Sequence, residues 1–104
     1  EEHIDFNRTA REVFNQVRGL NPWPKAHTII DGVEIKVLEC YISDIDSKFS
    51  SGTICDIKKD SIGICTKDKV VYITKVKPFG KKEMLALDYI NGINKEKILH
   101  SIVG

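Results

Sequence analysis

Residues 9–20, "TAREVFNQVRGL", place apolar side chains at Ala10, Val13, Phe14, Val17 and Leu20, while Arg8, Arg11, Asn15 and Arg18 lie off that stripe. The spacing is that of a helix with one buried face, and it predicts a helix over 7–19. Thr9 and Glu12 form a T-x-x-E capping box at its start. Gly19 is the expected C-terminal cap, and Pro22 bars any continuation. The only tryptophan, Trp23, then stands between Pro22 and Pro24. This segment is expected to be an elbow. Pro22 stops the helix, Trp23 anchors the crossing by packing, and Pro24 stiffens the exit.

From residue 27 the period changes to two. "HTIIDGVEIKVLECYIS" holds two β-rich runs around Asp31-Gly32, a two-residue hairpin signal. Val33, Ile35 and Val37 share one face, after which Leu38, Cys40 and Ile42 carry the pattern. That phase slip predicts a bulge near Val37-Leu38. Residues 43–52 read as a polar loop. "TICDI" (53–57), "IGICT" (62–66) and "VVYITKVK" (70–77) follow, ended by Pro78 and Gly80. Five or six short strands over 27–78 predict a mainly β fold, a small antiparallel barrel or sandwich. Met84, Leu87, Tyr89 and Ile90 predict a short helix over 84–92, closed by Asn91-Gly92, with at most one further turn in 95–103.

Length and composition add limits. At 104 residues the chain suits one domain, with 41% apolar and 30% charged residues, as in ordinary globular proteins. No apolar run approaches the roughly 20 residues of a membrane span, so no membrane partner is expected. The opening "EEHIDF" is acidic and polar, unlike a signal peptide. It also lacks an initiator methionine, and an excised piece of a longer chain is expected. Cys40, Cys55 and Cys65 are odd in number and contain no C-x-x-C pair. They are expected to be reduced strand residues in a reducing, cytoplasmic compartment.

The net charge of +1 conceals an asymmetry. Residues 1–60 carry 8 basic and 11 acidic side chains, and residues 61–104 carry 8 and 4. Lys67, Lys69, Lys75, Lys77, Lys81 and Lys82 cluster against Asp68 alone. Two explanations stand at this point. The lysines form a phosphate-attracting surface, or they guard the edges of exposed strands. Tyr72 and Phe79 are the only aromatics in the stretch. Phosphate and shape recognition of a folded RNA therefore fits better than base stacking.

Catalysis is poorly supplied. His3, His27 and His100 are far apart, and neither a G-x-S-x-G elbow nor a phosphate-binding glycine loop occurs. Asp44 and Asp46 lack the glycine and distal glutamate of a calcium loop. No catalytic residue, cofactor site or metal site is expected within this chain.

"AREVFNQVRGLNPWPKAHT" (10–28) resembles the start of the C-terminal domain of methionyl-tRNA formyltransferases, with Asn15, Val17, Arg18, Gly19, Leu20, Pro22, Trp23 and Pro24 in the motif positions. Residues 51–92 resemble the rest of that domain. The matches are Gly52, Thr53, Ile54, Ile62, Thr66, Asp68, Gly80, Lys81, Lys82, Met84, Asp88, Asn91 and Gly92, with Ile64 close to the family's valine. Ser51, Ser61, Lys69 and Lys77 depart from it: Ser51 replaces a proline, Ser61 and Lys69 replace turn glycines, and Lys77 replaces a strand-end glutamine.

The resemblance implies an oligonucleotide-binding-like open barrel, flanked by the N-terminal helix and the short C-terminal one. It implies a parent enzyme that moves a formyl group from 10-formyltetrahydrofolate to the methionyl amino group of initiator tRNA. That enzyme's catalytic Asn, His and Asp lie in an N-terminal domain, and no residue of this chain matches their motifs. The implied partners are initiator methionyl-tRNA and that catalytic domain in cis, in a monomeric cytoplasmic protein. Lys81 and Lys82 are the first candidates for tRNA contact, since they stand on a family motif. Lys75, Lys77 and Lys25 are candidates by charge and position. Arg18 is a candidate on a motif, with a helix-end salt bridge or cap as its alternative. Two other roles compete. One is an architectural C-terminal domain in a related folate-dependent formyltransferase that binds no RNA, such as those acting on sugar nucleotides. The other is a free-standing adaptor.

Overall fold

The structure is a computed structural model that describes residues 2–104. Helix α1 (Ala10–Leu20) begins as its capping box predicts. The Thr9 hydroxyl accepts from the Glu12 amide, and the Glu12 carboxylate accepts from the Thr9 amide. Ala10, Val13 and Val17 are buried. The helix runs past Gly19, and Asn21 rather than Gly19 is its C-cap, in an extended conformation. The proline at 22 imposes that conformation on the residue before it.

Six strands follow: β1 (Ala26–Ile30), β2 (Val33–Asp46), β3 (Ile54–Ile57), β4 (Ile62–Cys65), β5 (Lys69–Pro78) and β6 (Met84–Leu85). All named pairs are antiparallel, in the order β1-β2-β5-β4-β3. β4 occupies one edge of β5 over residues 70–73, and β6 takes the same edge at 75–76. Asp31 and Gly32 both have positive φ, as a two-residue primed turn requires. The register of β2 against β5 slips on both sides of Glu39, next to the predicted bulge. The slip allows the consecutive residues Val37 and Leu38 both to be buried. Gly63 sits opposite Tyr72, and a Cβ there would stand 2.7 Å from the tyrosine ring.

The sheet is open between β1 and β3, and the chain's end spans that gap. The His100 amide donates to the Ile54 carbonyl and the Ile54 amide to Ser101, while the Val103 amide donates to Gly52 and the Gly104 amide to Ile29. Helix α2 (Ala86–Asn91) and helix α3 (Lys95–Ile98) send Ala86, Ile90 and Ile98 into the core that α1 covers from another side.

Two further sequence expectations change. Residues 43–46 are not loop but the end of β2, where Asp46 pairs with Lys69 at 2.6 Å. Alternation gave no clear sign of this, because Ser43, Asp44 and Asp46 are polar and Ile45 alone is apolar. Met84 is not helical but half of β6, since the unpaired edge of β5 beyond β4 takes it up.

Candidate nucleic-acid interface

The core takes Ile35, Val37 and Val76, so the intervening residues of β2 and β5 point outward. Lys36 lies directly opposite Lys77, and His27 of β1 continues the row. Lys75 lies opposite Glu39 and beside Leu85. Beyond Pro78 the chain turns at Gly80, with φ +74°, and Lys81 and Lys82 stand exposed in that turn. Among the described residues, no carboxylate lies within ion-pair distance of Lys36, Lys75, Lys77, Lys81 or Lys82. Lys81 also lines a cleft of about 310 Å³ between the β1–β2 turn and α2.

The remaining candidates are placed differently. Lys25 is half-buried and engaged: its Nζ donates to the Pro22 carbonyl at 2.6 Å and pairs with Glu83 at 3.7 Å. It ties the NPWP segment to the turn that carries Lys81 and Lys82. Arg18 is exposed, with its guanidinium 5.7 Å from the centre of the Phe14 ring. Its charge lies in the last turn of α1, where it favours the helix dipole. The predicted salt bridge does not form at Arg18 among the described residues, while its carbonyl accepts the capping amide of Asn21 at 3.4 Å.

Trp23 corrects the sequence reading most plainly. It is 83% exposed and anchors nothing. The elbow is held instead by its neighbours. The Lys25 amide donates to the Leu20 carbonyl at 2.7 Å, and Asn21 Nδ2 donates to the Leu38 carbonyl at 3.3 Å. Both prolines follow cis peptide bonds. Phe79 is 74% exposed. Tyr72, by contrast, is buried, stacked on Tyr41, with its hydroxyl donating to Asp56 at 2.7 Å.

Sequence reasoning missed the role of Asp68, which appeared as the lone acid among lysines and as a motif match without a function. Its Oδ1 accepts from the Ala10 amide at 2.7 Å and from the Lys69 amide at 2.7 Å. These bonds, with that to Ala10 foremost, hold its carboxyl below the usual carboxylate range. The Lys67 amide donates to the Arg8 carbonyl, so the whole β4–β5 turn docks on the start of α1. The signal lay in Thr66-x-Asp68: the buried Thr66 hydroxyl donates to the Lys69 carbonyl and shapes the turn. The cysteines are free, as expected. Burial pushes the Cys40 thiol up to about 12, and burial followed by Cys65 does the same to Cys55. Neither forms the thiolate that nucleophilic chemistry requires near neutral pH.

The family model for the formyl transferase C-terminal domain matches residues 1–94. The chain belongs to the formyltransferase C-terminal domain family. Relatives of this family named methionyl-tRNA formyltransferase include one from Streptococcus equi, 36% identical over 104 residues, which are 100% of this chain and 33% of that protein. One from Clostridioides difficile is 43% identical over 90 residues, 86% of this chain and 29% of that protein. This formyltransferase C-terminal domain thus spans about a third of the length of the curated relatives it matches. Among solved structures, HypX from Aquifex aeolicus shares the fold, with a TM-score of 0.68 at 15% identity over 89% of this chain and 18% of that one. The family's motif residues have structural work here. Gly52 has φ +91°, Thr53 and Ile54 are buried, and Asp68 caps α1.

Proposed function

We propose that this chain is the tRNA-contacting C-terminal domain of a methionyl-tRNA formyltransferase. The activity belongs to the whole enzyme: transfer of a formyl group from 10-formyltetrahydrofolate to the methionyl amino group of initiator tRNA, in the cytoplasm, during translation initiation. The formyl donor and the catalytic side chains are assigned to an N-terminal domain in cis. This domain holds the tRNA by its phosphates.

One observation carries the proposal. Lys36 and Lys77 face each other across β2 and β5 with no carboxylate within ion-pair distance of either among the described residues, the nearby Glu34 lying 3.9 Å from His27 instead. Like charges directly opposite on a sheet are destabilising. A folded polyanion lying on this face removes that repulsion, and Lys75, Lys81 and Lys82 extend the same field. Lysines that only guarded an edge would have no need to face one another across two paired strands. Names of relatives agree with the proposal.

The test is titration of the chain with initiator tRNA at two salt concentrations, repeated with Lys81→Ala/Lys82→Ala. Weak binding is expected, micromolar or poorer. Log K should fall with log salt at a slope of roughly −2 to −4, becoming shallower by about one to two in the double variant. An unchanged slope in a folded double variant removes Lys81 and Lys82 from the interface. No tRNA binding at low salt favours instead an architectural domain of a related folate-dependent formyltransferase.

A further inference from the structure

Trp23 is the largest side chain of the protein, and it stands almost wholly in solvent. It is not on a loose loop. Prolines flank it, the Lys25 amide closes the segment onto the end of α1, and Lys25 Nζ holds the Pro22 carbonyl and Glu83 together. An aromatic side chain on a stiff support loses little conformational freedom on binding. Its surroundings specify the partner. The Lys25–Glu83 pair sets the loop against the β5–β6 turn, where Lys81 and Lys82 are exposed and unpaired among the described residues. Phe79, also exposed, opens that turn. Glu83, the acid of this turn, is already engaged. An apolar platform rimmed by cations suits a base attached to a phosphate chain, whose π-face stacks while its phosphates meet the lysines.

We propose that Trp23 is a stacking platform for an unpaired base of the RNA, with Phe79 as a second. This rests on the tRNA-contacting reading above and adds to it a preference for unpaired nucleotides over duplex. The lysines supply the salt-dependent part of binding, and the rings supply a part that salt does not screen.

Because Trp23 is the only tryptophan, its fluorescence reports on itself. The chain is titrated with initiator tRNA, with a single-stranded ten-nucleotide RNA and with a blunt duplex of the same charge. Saturable quenching by the first two and little by the duplex is expected. Affinities of Trp23→Ala, Trp23→Phe and Phe79→Ala are then measured with end-labelled RNA. Trp23→Ala should weaken single-stranded binding about ten-fold with an unchanged salt slope, Trp23→Phe should restore most of it, and Phe79→Ala should weaken it less. Trp23 and Phe79 are exposed, so these variants keep the core, and matching melting curves verify that. Wild-type affinity in Trp23→Ala, with unquenched emission and a normal lysine-dependent slope, overturns the stacking proposal alone and leaves Trp23 for a protein contact. Equal loss on duplex and single strand also overturns it. Absence of any tRNA binding overturns the reading beneath it.

Discussion

Asp68 shows how one carboxylate serves two elements. It caps the first amide of α1 from a turn 58 residues away in sequence. Replacing a helix-capping side chain by alanine costs about 1 kcal/mol. Asp68→Ala should lower stability by that order at pH 7, measured by urea denaturation. The pH dependence follows from the lowered folded-state value. An unfolded aspartate titrates near pH 4, so the stabilisation is present above about pH 4 and fades as pH falls through the folded value. The gap between wild type and variant should therefore narrow as pH is lowered from 7 towards about 2. A gap that stays constant would show that the charge of Asp68 contributes nothing. Thr66-x-Asp68 marked a turn, but nothing local marked Asp68 as a cap for α1. A capping box was legible because its partners are three residues apart, whereas the partner of Asp68 is supplied by folding.

The same division holds for elements. Helix α1, the Asp31-Gly32 hairpin and the bulge near Val37-Leu38 were legible, because each is encoded by neighbours in sequence and by the phase of apolar residues. The end of β2 and all of β6 were not, since both exist only where β5 offers an unpaired edge. Residues 100–104 belong to this second kind. They form no strand, yet their backbone bonds span the gap between β1 and β3. Truncation after Leu99 removes four such bonds, at about 0.5–1.5 kcal/mol each. It should cost roughly 2–6 kcal/mol and leave two strand edges open. A lower thermal midpoint together with concentration-dependent self-association in sedimentation is expected. An unchanged midpoint would mean that the barrel holds without this closure.

At the scale of the molecule, the basic stretch 67–82 divides into two. The sequence presents six lysines as one cluster. The ten-residue strand β5 separates them, with Lys67 and Lys69 at the α1 end and Lys75, Lys77, Lys81 and Lys82 towards the other. At about 3.3 Å per residue, the eight steps of β5 from Lys69 to Lys77 span roughly 26 Å. Lys69 is moreover engaged by Asp46. Charge reversal should therefore be unequal. Lys75→Glu/Lys77→Glu should abolish most tRNA affinity and flatten the salt slope, while Lys67→Glu should change affinity about two-fold or less. Equal effects would mean that the RNA covers both ends or that only net charge matters.

The order of residues alone encodes the periodicities, and with them the helix, the strands, the hairpin and the family likeness carried by the NPWP and GKKEM segments. These depend on short-range sterics and on the burial of apolar faces, which neighbours in the chain decide. Folding settles which charges are already spent and which aromatic is left outside. Lys25 and Lys69 proved paired, Lys36 and Lys77 proved to face each other, and Trp23, expected inside, stands in solvent. Ion pairing and exposure depend on what distant segments bring to the same place, and no window along the chain contains that information.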